Sequence, residues 1–95
     1  VFGNNASKGA AHLAGLLVPA DKRQDVVENL NSRGIQSSLH YPYIPDFSAY
    51  RKSGFSAIKL QTSILFSSQI ITLPIYPMLP VAAVKEIIDC VVDVL

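Results

Sequence analysis

Prolines set the strongest limit on what this chain can fold into. Six occur in 95 residues, at Pro19, Pro42, Pro45, Pro74, Pro77 and Pro80. A proline can neither continue a helix interior nor donate to a central sheet ladder. Together with Gly34 they cut the chain into short pieces, and each piece has its own hydrophobic period.

His12–Val18 (HLAGLLV) is an apolar run ended by Pro19 and reads as a buried strand. Ala14 and Gly15 leave little side chain in its middle. Ala20–Arg33 is the clearest helix. Val26, Val27 and Leu30 share one face, with Lys22, Arg23, Asp25, Glu28 and Asn29 largely away from it. Asp21, with Gln24 three residues on, makes a capping-box pattern. Gly34 supplies the left-handed residue that stops the helix, and Ile35 can fold back on Leu30.

Ile35–Tyr41 reads as a second strand, with Ile35, Ser37, Leu39 and Tyr41 on one face and Gln36, Ser38 and His40 on the other. A regular strand therefore sends His40 and Tyr41 to opposite sides. Pro42 and Pro45 then break regular structure. Asp46–Gly54 reads as a helical turn capped by Asp46, with Phe47 and Tyr50 inward. Gln61–Ser68 is a short helix with Thr62 as its cap and Ile64 and Leu65 inward. Ile70–Tyr76 is a third strand; the strand order is open, with this strand between the other two or outside them, and Pro74 leans toward outside. Pro77 and Pro80 bracket a turn, and Pro80 suits the first position of a last helix, Val81–Leu95. Its stripe is Val84, Ile87, Ile88, Val91 and Leu95, with Cys90 half-buried beside it. Val1–Gly9 reads as a linker or frayed end, which leaves one domain from Ala10 to Leu95.

The expected fold is α+β, in β-α-β-α-β-α order: a small three-stranded sheet with amphipathic helices on one face. A right-handed β-α-β unit makes the first two strands parallel.

Hydrophobic residues make up 49% and charged ones 16% of the chain, against a usual charged share of about 25%. A small domain with so few charges is expected to have part of its surface covered by another domain or subunit. The net charge of +1 gives no electrostatic case for nucleic acid or an anionic membrane. No apolar run approaches the roughly 20 residues of a membrane span. There is no signal-peptide pattern at the start, so a cytoplasmic location is expected. The chain does not begin with Met, as a piece of a longer protein would not. The single Cys90 rules out an internal disulfide and a cysteine-built zinc site.

Few residues are placed for chemistry. His12 and His40 lie far apart, with no acidic residue at helical spacing from either, so no metal site is expected. No G-x-S-x-G elbow is present. No glycine-rich turn joins a strand to a helix, so there is no phosphate cradle. His40 and Tyr41, at the end of a strand that runs into a proline loop, are the best-placed polar pair. They read as a pocket rim.

Three stretches add a resemblance. His12-Leu13 opens the first strand, Leu30 to Gly34-Ile35 ends the first helix, and His40-Tyr41 precedes Tyr50-Arg51. Ile71-Thr72-Leu73-Pro74-Ile75-Tyr76-Pro77 forms the third strand, and the closing amphipathic helix follows. In order and spacing these resemble the C-terminal small domain of the DegT/DnrJ/EryC1/StrS family. These are fold-type I, pyridoxal-phosphate-dependent aminotransferases that act on nucleotide-linked keto-sugars. The family's second histidine after His-Tyr has no counterpart near Pro45.

The resemblance implies that the parent moves an amino group, from a donor such as glutamate, onto a keto-sugar nucleotide, with this domain closing the substrate pocket. It implies that His40 contacts substrate; Tyr41 is the second candidate, and a regular strand lets only one of the two line the pocket unless Pro42 twists its end. Schiff-base catalysis needs a desolvated lysine beside the cofactor. That lysine belongs to the family's large domain, so no catalytic or cofactor-binding residue is expected here. The piece alone is then inactive. Its partners are the large domain, a second copy in a homodimer and a nucleotide sugar. A different expectation is a stand-alone, non-catalytic α+β module for dimerisation or ligand sensing.

Overall fold

The computed structural model describes residues 12–53 and 59–95. The expected linker Val1–Gly9 and the domain boundary at Ala10 lie outside the described residues. In chain order the elements are β1 (Ala14–Leu17), α1 (Arg23–Ser32), a 3-10 turn at Ile44–Asp46, α2 (Ser48–Arg51), α3 (Gln61–Gln69), β2 (Ile70–Leu73) and α4 (Val81–Val92). None of these helices is long and apolar enough to cross a membrane.

β1 and β2 pair antiparallel, with Gly15 opposite Thr72 and Leu16 opposite Ile71. On its other side Thr72 exchanges two backbone bonds with Ser38, of 3.0 and 2.7 Å. The sheet among the described residues thus has two strands, flanked by one isolated bridge where a third strand is expected. Ser38 and β1 both run antiparallel to β2, so they run parallel to each other, as the β-α-β rule requires. The order corrects one expectation. Pro74 favours an outer place for the third strand, yet β2 lies between β1 and Ser38. Pro74 follows Leu73, the last residue of the strand, so its missing N–H leaves no ladder bond unmade.

One face of this sheet carries the core. Val26 and Leu30 of α1, Ile71 of β2, and Ile87, Cys90 and Val91 of α4 cluster with Val18. Cys90 is fully buried within this cluster rather than half-buried beside it. Asn29 Nδ2 donates to the Cys90 carbonyl at 2.7 Å and ties α1 to α4. At the surface Arg33 pairs with Asp93 at 2.8 Å. That hydrogen bond is the main reason the Arg33 pKa stands above its ordinary value.

Gly34 ends α1 as its position predicts. Its φ is +72°. The Ile35 N–H donates to Leu30 O at 3.0 Å and the Gly34 N–H to Asn31 O at 2.9 Å. These are the two bonds of a Schellman motif. Ile35 packs against the cluster that contains Leu30, so the chain leaves the helix pointing back at the sheet.

The helix starts differ from expectation. Lys22 is the N-cap of α1, with no side-chain cap bond. The Lys22 N–H bonds back to Pro19 O, which encloses Asp21 in a turn ahead of the helix. Gln24 instead donates to Glu28 one turn on. Phe47, not Asp46, is the N-cap of α2. Leu60, not Thr62, precedes α3, and Pro80 is the N-cap of α4 rather than its first residue.

Several side chains expected inward are exposed: Phe47, Tyr50, Leu65, Val84, Ile88 and Leu95. On α4 the apolar arc is wider than the surface it meets. Ile87, Cys90 and Val91 fill the contact with α1 and β2, and Val81, Val84, Ile88 and Val92 are left outside.

Candidate functional site

The central place of β2 fixes the site. Backbone pairing on both edges holds Thr72, which is 7% exposed. Its Oγ1 lies 3.0 Å from Nδ1 of His40. His40 follows Ser38 by two residues, so the bridge that clamps Ser38 also delivers the imidazole to Thr72.

The His40–Tyr41 peptide is cis. The two rings meet edge to face, with centroids 4.9 Å apart and planes at 86°. They do not lie on opposite sides. Strand alternation fails because regular pairing stops at Ser38.

Both residues line one cleft of about 440 Å³, between the Pro42–Pro45 loop and α3. Across from them stand Leu60, Thr62, Ser63 and Phe66. Leu60 N–H donates to Tyr43 Oη at 3.1 Å, which joins the loop to the start of α3. With Nδ1 engaged by Thr72, Nε2 is the ring's remaining polar atom. Among the described residues the Thr62 and Ser63 hydroxyls take part in no side-chain hydrogen bond. The cleft therefore combines an aromatic and aliphatic wall with an imidazole nitrogen, a phenol and two hydroxyls. Such a lining suits a neutral, hydroxyl-rich ligand held by a few directional bonds.

A second cleft of about 410 Å³ shares the Pro42–Tyr43 wall and carries Arg23, Asp46 and Lys59. Arg23 Nη1 donates to Ser67 O at 2.7 Å there. A third, of about 560 Å³, runs from Gly34 to Ser38 and past the end of β2 to Glu86. It is larger than the first but contains neither His40 nor Tyr41.

Sequence reasoning missed the α3 side of the cleft. Thr62 reads as a cap, yet Thr62 and Phe66 stand one helical turn apart on the wall facing His40. That spacing was the available signal. Among the described residues no three His, Cys, Asp or Glu side chains come together as metal ligands would.

A sequence model of the DegT/DnrJ/EryC1/StrS aminotransferase family matches residues 2–92. The chain belongs to this family. No curated protein matches the sequence.

Membership of the DegT/DnrJ/EryC1/StrS family raises the question of pyridoxal phosphate, on which the family generally depends. The described residues do not fit that group. Of the lysines, Lys59 lines a cleft, but it is exposed and lacks the desolvation that tunes a lysine for imine formation. The positive-φ glycine, Gly34, closes a helix rather than opening one, so it forms no phosphate cradle.

Proposed function

We propose that this chain is the C-terminal small domain of an aminotransferase that moves an amino group, from glutamate, onto a keto-sugar nucleotide. Its part is to close the substrate pocket, with His40 and Tyr41 on the pocket wall. Pyridoxal phosphate, held by the rest of the parent enzyme, supplies the amino-group carrier. Within this chain His40 and the hydroxyls of Tyr41, Thr62 and Ser63 orient the sugar, while Phe66 and Leu60 exclude water from one side of it. Alone, the domain catalyses nothing.

The observation that carries this reading is the cleft itself. An imidazole anchored by a buried hydroxyl faces a wall of hydroxyls and apolar groups, and the cleft belongs to a chain of an aminotransferase family. The exposed apolar residues of α4 and of the Tyr41–Tyr50 segment support a parent in which the large domain, and a second subunit of a homodimer, cover this piece.

The test is a titration of the isotope-labelled chain with a UDP-linked hexose, followed by nuclear magnetic resonance, with pyridoxal phosphate added afterwards. Resonance changes should centre on His40, Tyr41, Thr62 and Phe66. Changes confined to the Arg23–Lys59 cleft, or an absorbance band that disappears on replacing one particular lysine, would overturn the proposal.

A further inference from the structure

We infer that Thr72 is a positioning residue for His40: it holds the neutral imidazole in the tautomer protonated at Nε2, so that the ring offers an N–H donor to the cleft. The consequence for a ligand rests on the proposed function above; the geometry does not.

Donor accounting carries the inference. Thr72 Oγ1 and His40 Nδ1 are 3.0 Å apart and can share a proton in either sense. If Nδ1–H donated, the hydroxyl proton would need another acceptor. Among the described residues Thr72 makes no other side-chain hydrogen bond, and it is 7% exposed, so that proton would lack a protein acceptor. If the hydroxyl donates, both its proton and the Nδ1 lone pair are satisfied. A buried unpaired donor costs more than an unfilled second lone pair on an oxygen. The second arrangement wins, and the single proton of the neutral ring then sits on Nε2.

The surroundings stop Thr72 from avoiding this choice. Gly15 on one side and Ser38 on the other pin its backbone. The Tyr41 ring, edge to face at 4.9 Å, fixes the imidazole from a second direction. An Nε2–H is complementary to an oxygen acceptor, whether a sugar hydroxyl or a phosphate oxygen of a nucleotide sugar. A bare nitrogen at that position would repel a phosphate oxygen.

The experiment reads the tautomer directly. The nitrogen-15-labelled chain is examined at pH about 8, above the ordinary imidazole pKa of about 6.5, through couplings between the ring protons and both ring nitrogens. With two histidines in the chain, His12→Gln assigns the signals. The wild type should show an unprotonated Nδ1 and a protonated Nε2 at His40. Thr72→Val, which keeps the branched shape, should leave a mixture of tautomers; Thr72→Ser should restore the wild-type pattern. Affinity for a UDP-linked hexose should fall about fivefold in Thr72→Val, the worth of one neutral hydrogen bond, and hold in Thr72→Ser. A protonated Nδ1 in the wild type, which needs no variant to observe, overturns the inference, as does an unchanged tautomer in a folded Thr72→Val. If the tautomer responds as expected but the hexose binds no form of the chain, the positioning role stands and the substrate reading fails.

Discussion

Gly34 gives the sharpest test of how this chain is built. Its φ of +72° places it where a side chain costs about 1–2 kcal/mol in backbone energy alone. A Cβ added there would meet nothing within 4 Å, so Gly34→Ala adds no clash to that figure. Alanine also restricts the unfolded chain, which returns about 0.4–1 kcal/mol. The net expected loss is about 1 kcal/mol, equivalent to a fall in Tm of about 4–8 °C for a domain of this size. Urea unfolding followed by circular dichroism measures it: the midpoint should drop and the slope should not change. Gly34→Asn should lose less, because asparagine visits the left-handed region more readily. An alanine variant as stable as the wild type, or an asparagine variant worse than alanine, would refute the claim that backbone conformation is what selects glycine here.

Leu30→Ala, at a fully buried position of α1, should cost about 2–5 kcal/mol, whereas Ile88→Ala on the exposed side of α4 should stay within about 0.5 kcal/mol; equal losses in urea would show that Ile88 does not lie on an exposed face. Asn29→Ala removes the side-chain bond to the Cys90 carbonyl and should cost about 1–3 kcal/mol, with hydrogen exchange rising first at the ends of α1 and α4.

Much of the fold is legible in the residues, and the failures share a cause. The apolar period of Val26, Val27 and Leu30 finds α1, and Gly34 finds its end, because both depend on the chemistry of a few adjacent residues. The N-caps are misread because the identity of a cap turns on the backbone angles of one residue. Asp21, Asp46 and Thr62 all have the right side chain, but each lies off the N-cap position by one or two residues. Pro74 looks like a mark against a central strand, yet only its offset from Leu73 matters, and that offset depends on where pairing stops. At the site, His40 and Tyr41 are legible as a rim. The Thr72 anchor is not, since it spans the 32 positions that separate His40 from Thr72, and their mutual contact is not, since it depends on regular pairing ending at Ser38. The exposed stripe on α4 agrees with a composition poor in charge: the residues that look like core are more numerous than the core can hold.

Cys90 carries a consequence of its own. It is the chain's only thiol, it has no solvent-exposed surface, and its carbonyl is where Asn29 joins α1 to α4. An alkylating reagent cannot reach the sulfur without parting those two helices. The labelling rate is therefore a clock for how often the helices separate, wired by the sequence into the middle of the core and needing no engineered probe.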